Sequence, residues 1–161
     1  MANAFWTQLL DMVEYTDYMA TFADPSRRLV DVEPWSYSVD GDLLAAPITA
    51  TAGQRFVTQM AGDSDFVMTY ISGFARPAGS QQMTINPAIL VQISDQSSGR
   101  TFFSAPAPMA MIAGQSGFPF ILLGPRTVKA RASLLTTAIS AQVQSWTGFY
   151  MTFHGARLWY G

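Results

Sequence analysis

The first 42 residues combine a helical pattern with an extended one. Apolar side chains between residues 5 and 13 recur at the spacing of an amphipathic helix. We expect this helix to end by Asp24-Pro25. The apolar positions of this helix are Phe5, Trp6, Leu9, Leu10, Met12 and Val13. From Arg27 to Asp42 the pattern predicts an extended chain. This segment is too short for a core of its own, so it must pack on the rest of the chain or on a neighbour.

From Leu43 onward the pattern changes to short runs in which apolar and polar residues alternate, as in β-strands. Turn signals separate these runs and give about eight or nine strands, one of them predicted over residues 127–134. Gly99 is expected to supply a positive φ in a hairpin, and Gly155 to mark a β-bulge. The pattern predicts an all-β protein: an antiparallel β-sandwich, specifically a jelly roll, with a partly helical and partly extended N-terminal arm.

Charge is unevenly distributed along the chain. Residues 1–42 contain eight acids and two arginines, a net charge of −6, whereas residues 43–161 contain three acids and seven bases, a net charge of +4. The change of sign predicts a boundary between an acidic arm, residues 1–42, and a β-sandwich domain, residues 43–161. Charged residues make up 12% of the chain, about half the usual share. We therefore expect other subunits to cover much of the surface.

Composition also excludes several kinds of site. The absence of cysteine rules out disulfides, thiolate zinc sites and iron–sulfur clusters, and a single histidine rules out multi-histidine metal sites, so no cofactor is expected. No apolar run approaches the roughly 20 residues of a membrane span, so no membrane partner is expected. Arg126, Lys129 and Arg131 lie close in sequence, the last two on one face of the predicted strand. The basic residues nevertheless form no dense stripe, so no nucleic acid is expected.

Candidate catalytic residues are few. His154 falls on the strand face opposite Phe149, Met151 and Phe153, and we interpret it as an outward polar residue rather than a general base. The stretch 114–117, Gly-Gln-Ser-Gly, lacks the final glycine of a nucleophile elbow and is interpreted as a loop. We therefore expect no enzymatic activity.

Two acidic turns were considered as calcium sites. Asp63 and Asp65 follow Gly62, and Asp40 and Asp42 flank a glycine, but calcium requires six to eight oxygen ligands. Two acids in one turn are too few, so ordinary turn chemistry is the preferred interpretation.

The residue types favour contacts between subunits. Nine methionines, eight arginines and one lysine match the preferences of protein interfaces. We predict interfacial roles for arm anchors and for basic and aromatic residues of the domain: Phe5, Trp6, Leu9, Trp35, Tyr37, Arg100, Arg126, Lys129, Arg131, Trp159 and Tyr160. In this hypothesis the negative arm of one subunit lies on the positive domain of the next. A second interpretation makes the aromatic residues near the end of the sequence a sugar-binding platform: Phe149, Tyr150, Phe153, Trp159 and Tyr160.

Three stretches carry a family resemblance. PAILVQISDQSSGRTFFSAPAP (87–108), FPFILLGP (118–125) and FHGARL (153–158) resemble small virion structural proteins of tailed bacteriophages, over roughly residues 64–160. The resemblance implies a non-enzymatic capsid cement, decoration or minor head protein, which is made in the host cytoplasm and resides in the virion. Its expected partners are further copies of itself and the major capsid protein. The alternatives are a carbohydrate-binding module of a fibre or spike, or a head–tail connector component.

Overall fold

The structure is a computed structural model that describes residues 4–114 and 120–161, with side chains described for residues 11–113 and 125–161. These residues form two helices and ten strands. In chain order the elements are α1 (Ala4–Ala20), β1 (Leu29–Asp42), β2 (Gln54–Gln59), β3 (Ser64–Pro77), β4 (Ile89–Asp95), β5 (Arg100–Thr101), β6 (Ala107–Pro108), α2 (Met109–Ile112), β7 (Ala113–Gly114), β8 (Phe120–Val128), β9 (Ser133–Ser140) and β10 (Trp146–Tyr160).

The strands form two sheets of five strands each. In the first sheet the order is β1-β10-β3, and β7 and β8 both pair with β3. In the second sheet the order is β2-β9-β4, and β5 and β6 both pair with β4. All of these pairs are antiparallel except the short pair of β3 with β7. The predicted all-β sandwich is therefore confirmed.

The main core lies between the two sheets and follows the alternation seen in the sequence. Every second residue of β4 and β9 is buried, and the intervening residues are partly exposed. On β10, Phe149, Met151 and Phe153 all face this core, as their spacing predicts. Phe56 of β2 stacks on Phe149, with ring centroids 5.0 Å apart and planes at 10°, which joins the two sheets through aromatic packing.

Helix α1 covers one end of the outer face of the first sheet. Met19 is fully buried there, in a second small core with Val67, Ala156 and Leu158. Near this helix the first sheet is therefore covered on both faces, with the main core on one side and α1 on the other. The rest of its outer face has no helix over it among the described residues.

The extended half of the predicted arm forms the edge strand of the first sheet. Strand β1 pairs with β10 along its whole length, from Leu29 opposite Tyr160 to Asp42 opposite Gly148. In this chain both halves of residues 1–42 pack against the chain's own β-domain, α1 as a cover and β1 as an edge strand.

A β-bulge interrupts the pairing of β10 with β3 at Gly155, where the sequence predicts one. His154 pairs with Tyr70 and Gly155 pairs with Met68, so the extra residue, Thr69, lies on β3 rather than on β10. A side chain at position 155 would overlap the carbonyl oxygen of Val67, which explains the glycine. Because of the extra residue, Tyr70 faces outward while Met68 faces the core.

The predicted strand 127–134 is wrong. Strand β8 ends at Val128 and β9 begins at Ser133, and the turn between them contains Arg131 at a φ of 64°. Hydrogen bonds to residues outside the turn stabilise it. The Arg131 amide donates to the Ala61 carbonyl at 2.9 Å, and the Ala130 amide donates to the Asp65 carboxylate at 2.9 Å. Lys129 and Arg131 therefore do not share a strand face.

Candidate functional site

The open part of the first sheet's outer face is rich in hydroxyl and aromatic groups. Three strands each contribute three outward residues, in rows set by the pairing register. We call this surface the hydroxyl face; it comprises Ser36, Ser38 and Asp40 of β1, Tyr150, Thr152 and His154 of β10, and Tyr70, Ser72 and Phe74 of β3. Its polar side chains are mostly uncharged, which distinguishes it from an ordinary solvated sheet surface.

His154 lies at the centre of a hydrogen-bonded row on this face. Its Nδ1 is 3.1 Å from Ser36 Oγ, and its Nε2 is 2.7 Å from Ser72 Oγ. Burial lowers the pKa of His154 below the ordinary value of 6.5, which favours the neutral ring. A neutral imidazole has one donor and one acceptor nitrogen, so one of the two serines donates to the ring and the other accepts from it.

Stacked rings flank the hydroxyl groups. The Tyr70 ring stacks on the imidazole of His154, with centroids 4.3 Å apart and planes at 10°. At the other end of the face, Phe74 stacks on Tyr150 at 5.0 Å. Between these pairs, Ser38 Oγ and Thr152 Oγ1 are 3.2 Å apart and form a second hydroxyl contact.

A cleft of about 490 Å³ lies between α1 and the His154 end of this face. Tyr15 of α1 forms one wall, and Pro34, Ser36, Tyr70 and His154 form the other. Burial raises the pKa of Tyr15, whose side chain hydrogen-bonds with that of Thr69. Among the described residues that line the cleft, none carries a carboxylate, an ammonium or a guanidinium group.

The distance between Ser72 and His154 would suit a nucleophile and its base, but the surroundings do not suit acyl transfer. Ser72 lies inside β3, paired with Thr152 on one side and Gly114 on the other, so the backbone around it is part of the sheet ladder. Acyl transfer requires hydrogen-bond donors aimed at a developing oxyanion and an acidic group that orients the histidine. Here the second partner of the imidazole is Ser36, a neutral hydroxyl. Among the described residues, the pair therefore has no carboxylate partner on the imidazole, which an acyl-transfer triad would need.

A second cluster joins two predicted interface residues through an arginine that the sequence analysis did not single out. The Arg157 guanidinium lies 4.7 Å from the centroid of the Trp35 ring and 4.3 Å from that of Trp159. It also contacts Asp63 at 3.1 Å and Glu33 at 3.8 Å. Only the register of β1 against β10, which places Glu33 opposite Arg157, could have indicated this cluster.

Lys129 and Tyr160 bind the segment after α1 to the domain. The Lys129 ammonium lies 3.0 Å from the buried carboxylate of Asp65 and 3.4 Å from Asp24, and hydrogen bonding to Asp65 raises the pKa of Lys129. The Tyr160 hydroxyl accepts a hydrogen bond from the Asp24 amide, and Arg27 lies over the Tyr160 ring at 3.9 Å. These predicted interface residues thus make contacts within the chain.

The other predicted contact residues are scattered. Tyr37 packs edge-on against Phe66 in the main core, and its hydroxyl accepts a hydrogen bond from the Ala61 amide at 3.1 Å. Three arginines are exposed on separate elements: Arg100, Arg126 and Arg131. Three residues belong to α1 but have side chains outside the described part of the structure: Phe5, Trp6 and Leu9.

The structure describes some of the residues that were considered as metal ligands or as a nucleophile. Asp63 pairs with Arg157, and Asp42 pairs with Arg76 at 3.0 Å. Within residues 4–114 and 120–161, no three metal-ligating side chains come together. Residues 115–117 of the considered nucleophile motif lie outside the described residues.

The outer face of the second sheet carries four apolar side chains that are exposed or partly exposed, among polar ones. We call it the apolar face, defined by Val57 of β2, Leu90 of β4, and Leu135 and Ile139 of β9. Val57 lies opposite Leu135, and Leu90 lies opposite Ile139, and the row formed by Arg55, Thr137 and Gln92 lies between these two pairs. Val57 is 64% exposed, which is unusual for a valine at the centre of a strand.

No family model matches the sequence, and no curated protein matches it. The part of the chain that the structure describes holds no helix long and apolar enough to cross a membrane.

Proposed function

We propose that this protein is a non-enzymatic structural subunit of a tailed-bacteriophage virion, a capsid cement or decoration protein of the head. Its copies would bind one another and the major capsid protein. The observation that carries the proposal is the apolar face, where Val57 is exposed and Leu135 and Ile139 are partly exposed, in a chain with only 12% charged residues. Exposed apolar side chains grouped on one face and rimmed by polar residues are typical of a protein-interaction site.

The strand order supports a jelly roll, the fold of many capsid proteins. From β1 to β4 the chain alternates between the sheets, and β10 lies between β1 and β3 in one sheet while β9 lies between β2 and β4 in the other. Two interlocking Greek keys would produce this order. A jelly roll is also found in lectins, so the fold is compatible with the function without determining it.

Contacts between subunits would use the apolar face rather than an exchanged arm. Strand β1 already pairs with β10 of its own chain, and α1 already covers Val67 and Leu158. The exposed Arg55, two residues before Val57 on the edge strand β2, would place a charge at the edge of such a contact, in the row between the two apolar pairs.

Light scattering after size-exclusion chromatography tests this proposal. We expect the full chain to form a stable oligomer, and we expect Val57→Lys to weaken it at least tenfold because a buried lysine would have no partner there. Val143→Lys is the matched control, since Val143 is 95% exposed in the loop between β9 and β10. The oligomer should also persist at high salt, because apolar contacts are not screened as ion pairs are.

Two results would contradict the proposal. One is a wild-type chain that stays monomeric at every accessible concentration. The other is a Val57→Lys oligomer as stable as that of Val143→Lys, which would remove the apolar face from the contact.

A further inference from the structure

We infer that the cleft between α1 and the hydroxyl face binds a neutral saccharide. This inference goes beyond the proposed structural role, because it assigns a small ligand to a surface that self-association does not use. The cleft belongs to the outer face of the first sheet, whereas the apolar face belongs to the second. The two sites lie on opposite sides of the sandwich and can be tested separately.

The row Ser36–His154–Ser72 has the hydrogen-bonding capacity that a sugar requires; Ser36 and His154 line the cleft, and Ser72 lies beside it on β3. The imidazole nitrogens lie 3.1 Å and 2.7 Å from the two hydroxyl oxygens. In either tautomer one serine donates to the ring, which leaves its lone pairs free, and the other accepts from the ring, which leaves its O–H free. The row therefore offers an acceptor and a donor, joined by a polarisable ring, and a pair of sugar hydroxyls presents the complementary groups.

The lining of the cleft also suits a neutral sugar. Tyr15 and Tyr70 provide aromatic surface on which the C–H groups of a pyranose ring pack. The described lining residues include no permanently charged side chain, so an anionic or cationic ligand would have no counter-charge there. A volume of about 490 Å³ falls within the range of small-molecule sites and has room for one or two sugar rings.

Hydrogen-bonded side chains and stacked rings occur a second time further along the face. Two residues further along β1 and β10, Ser38 and Thr152 form a second hydroxyl pair at 3.2 Å, followed by the stacked rings of Phe74 and Tyr150. Positions two apart on a strand are separated by roughly 7 Å, which is on the scale of one sugar unit. The face thus offers a second position for a disaccharide that starts in the cleft.

Saturation-transfer NMR with the full chain tests the inference. The probes are the methyl glycosides of glucose, galactose, mannose and N-acetylglucosamine, together with maltose, cellobiose and lactose, each at millimolar concentration. We expect at least one probe to receive saturation. Titration of the protein with that probe then gives its dissociation constant. N-acetylneuraminic acid serves as the charged comparison and should bind more weakly than the best neutral probe.

Single hydroxyl deletions then locate the site. Ser36→Ala and Ser72→Ala should each weaken binding by about three- to tenfold, the usual effect of one lost hydrogen bond. Ser94→Ala is the matched control, because Ser94 lies on the outer face of the second sheet. His154→Gln provides a second test of the row, and circular dichroism and thermal melting confirm that each variant is folded.

The inference is overturned if no neutral probe receives saturation, if N-acetylneuraminic acid binds best, or if Ser36→Ala and Ser72→Ala bind like Ser94→Ala. None of these results bears on self-association, which is measured by light scattering. Conversely, a monomeric chain that binds a sugar through Ser72 would reject the proposed assembly and leave the saccharide site standing.

Discussion

At the scale of single residues, His154 couples the hydroxyl face to pH. Its neighbours across the sheet and in the cleft are Ser36, Ser72, Tyr70 and Tyr15, none of which carries a charge at neutral pH. Burial lowers the pKa of the imidazole below 6.5, so the folded chain takes up a proton less readily than the unfolded chain. The consequence is a stability that depends on pH through this one histidine.

We predict that the free energy of unfolding falls as the pH is lowered from 7.5 through 6.5 towards the folded pKa. In that window the unfolded state binds more protons than the folded state, so acidification favours unfolding. Urea unfolding at several pH values measures the slope, and His154→Gln should flatten it because the chain has no other histidine. An identical slope in His154→Gln would show that His154 is not the group responsible.

Asp65 and Asp63 offer a matched pair of carboxylates. The Asp65 side chain is 1% exposed and accepts hydrogen bonds from Lys129 and from the Ala130 amide, whereas the Asp63 side chain is 61% exposed. We predict that Asp65→Asn lowers the free energy of unfolding by about 2 kcal/mol, because Lys129 loses the nearer of its two carboxylate partners and the Ala130 amide loses a charged acceptor. Asp63→Asn should cost less than about 1 kcal/mol, as expected for an exposed pair with Arg157.

Urea unfolding of both variants at pH 7 provides the comparison. Equal losses for the two substitutions would mean that the buried carboxylate does not hold the turn between β8 and β9. From the sequence alone, Asp65 is interpreted as a turn residue and Lys129 as an interface residue. Their contact joins positions that are distant in sequence, so no local pattern could reveal it.

At the scale of elements, the stability of helix α1 depends on its packing against the first sheet more than on the helix propensity of its residues. Met19 is fully buried against Val67 and Leu158 of the first sheet, while Met12 is 59% exposed. We predict that Met19→Ala lowers the free energy of unfolding by about 2–3 kcal/mol, the cost of emptying a buried methionine site. Met12→Ala should cost under about 0.5 kcal/mol, since it buries little.

Thermal and urea unfolding measure both variants, and hydrogen exchange of the α1 amides shows whether the helix opens by itself. Equal stability and equal amide protection in Met19→Ala and Met12→Ala would mean that α1 is not anchored at residue 19. Because both substitutions replace methionine with alanine in the same helix, the difference between them isolates burial.

Elements were predictable where the signal is local. The alternation in residues 89–93 and 149–153 reveals strands and their buried faces, because side chains of a strand point to opposite sides in turn. The turn at Arg131 was missed because the residues around it alternate as in a strand, and only contacts with Ala61 and Asp65 distinguish the two. The four-residue helix α2 was missed as well, since so short a segment carries no period.

At the scale of the whole molecule, the sandwich was predictable and the candidate site was not. Many short alternating runs in one chain require two packed sheets. The hydroxyl face needs the register of β1, β10 and β3, and the extra Thr69 decides that Tyr70 points outward. The alternation of residues in the sequence places His154 on an outward face. It does not indicate that Ser36 and Ser72, which belong to two other strands, hydrogen-bond with the two ring nitrogens of His154.

The pairing of β1 with β10 also determines when the first sheet can form during synthesis. These strands lie near opposite ends of the sequence, yet β10 is the central partner of both β1 and β3. During synthesis β1 and β3 therefore leave the ribosome long before the strand that joins them, and the first sheet cannot close until residues 146–160 have emerged. Nonlocal pairing of this kind slows folding and leaves strand edges open meanwhile. Crowded nascent chains could exchange β1 in that interval.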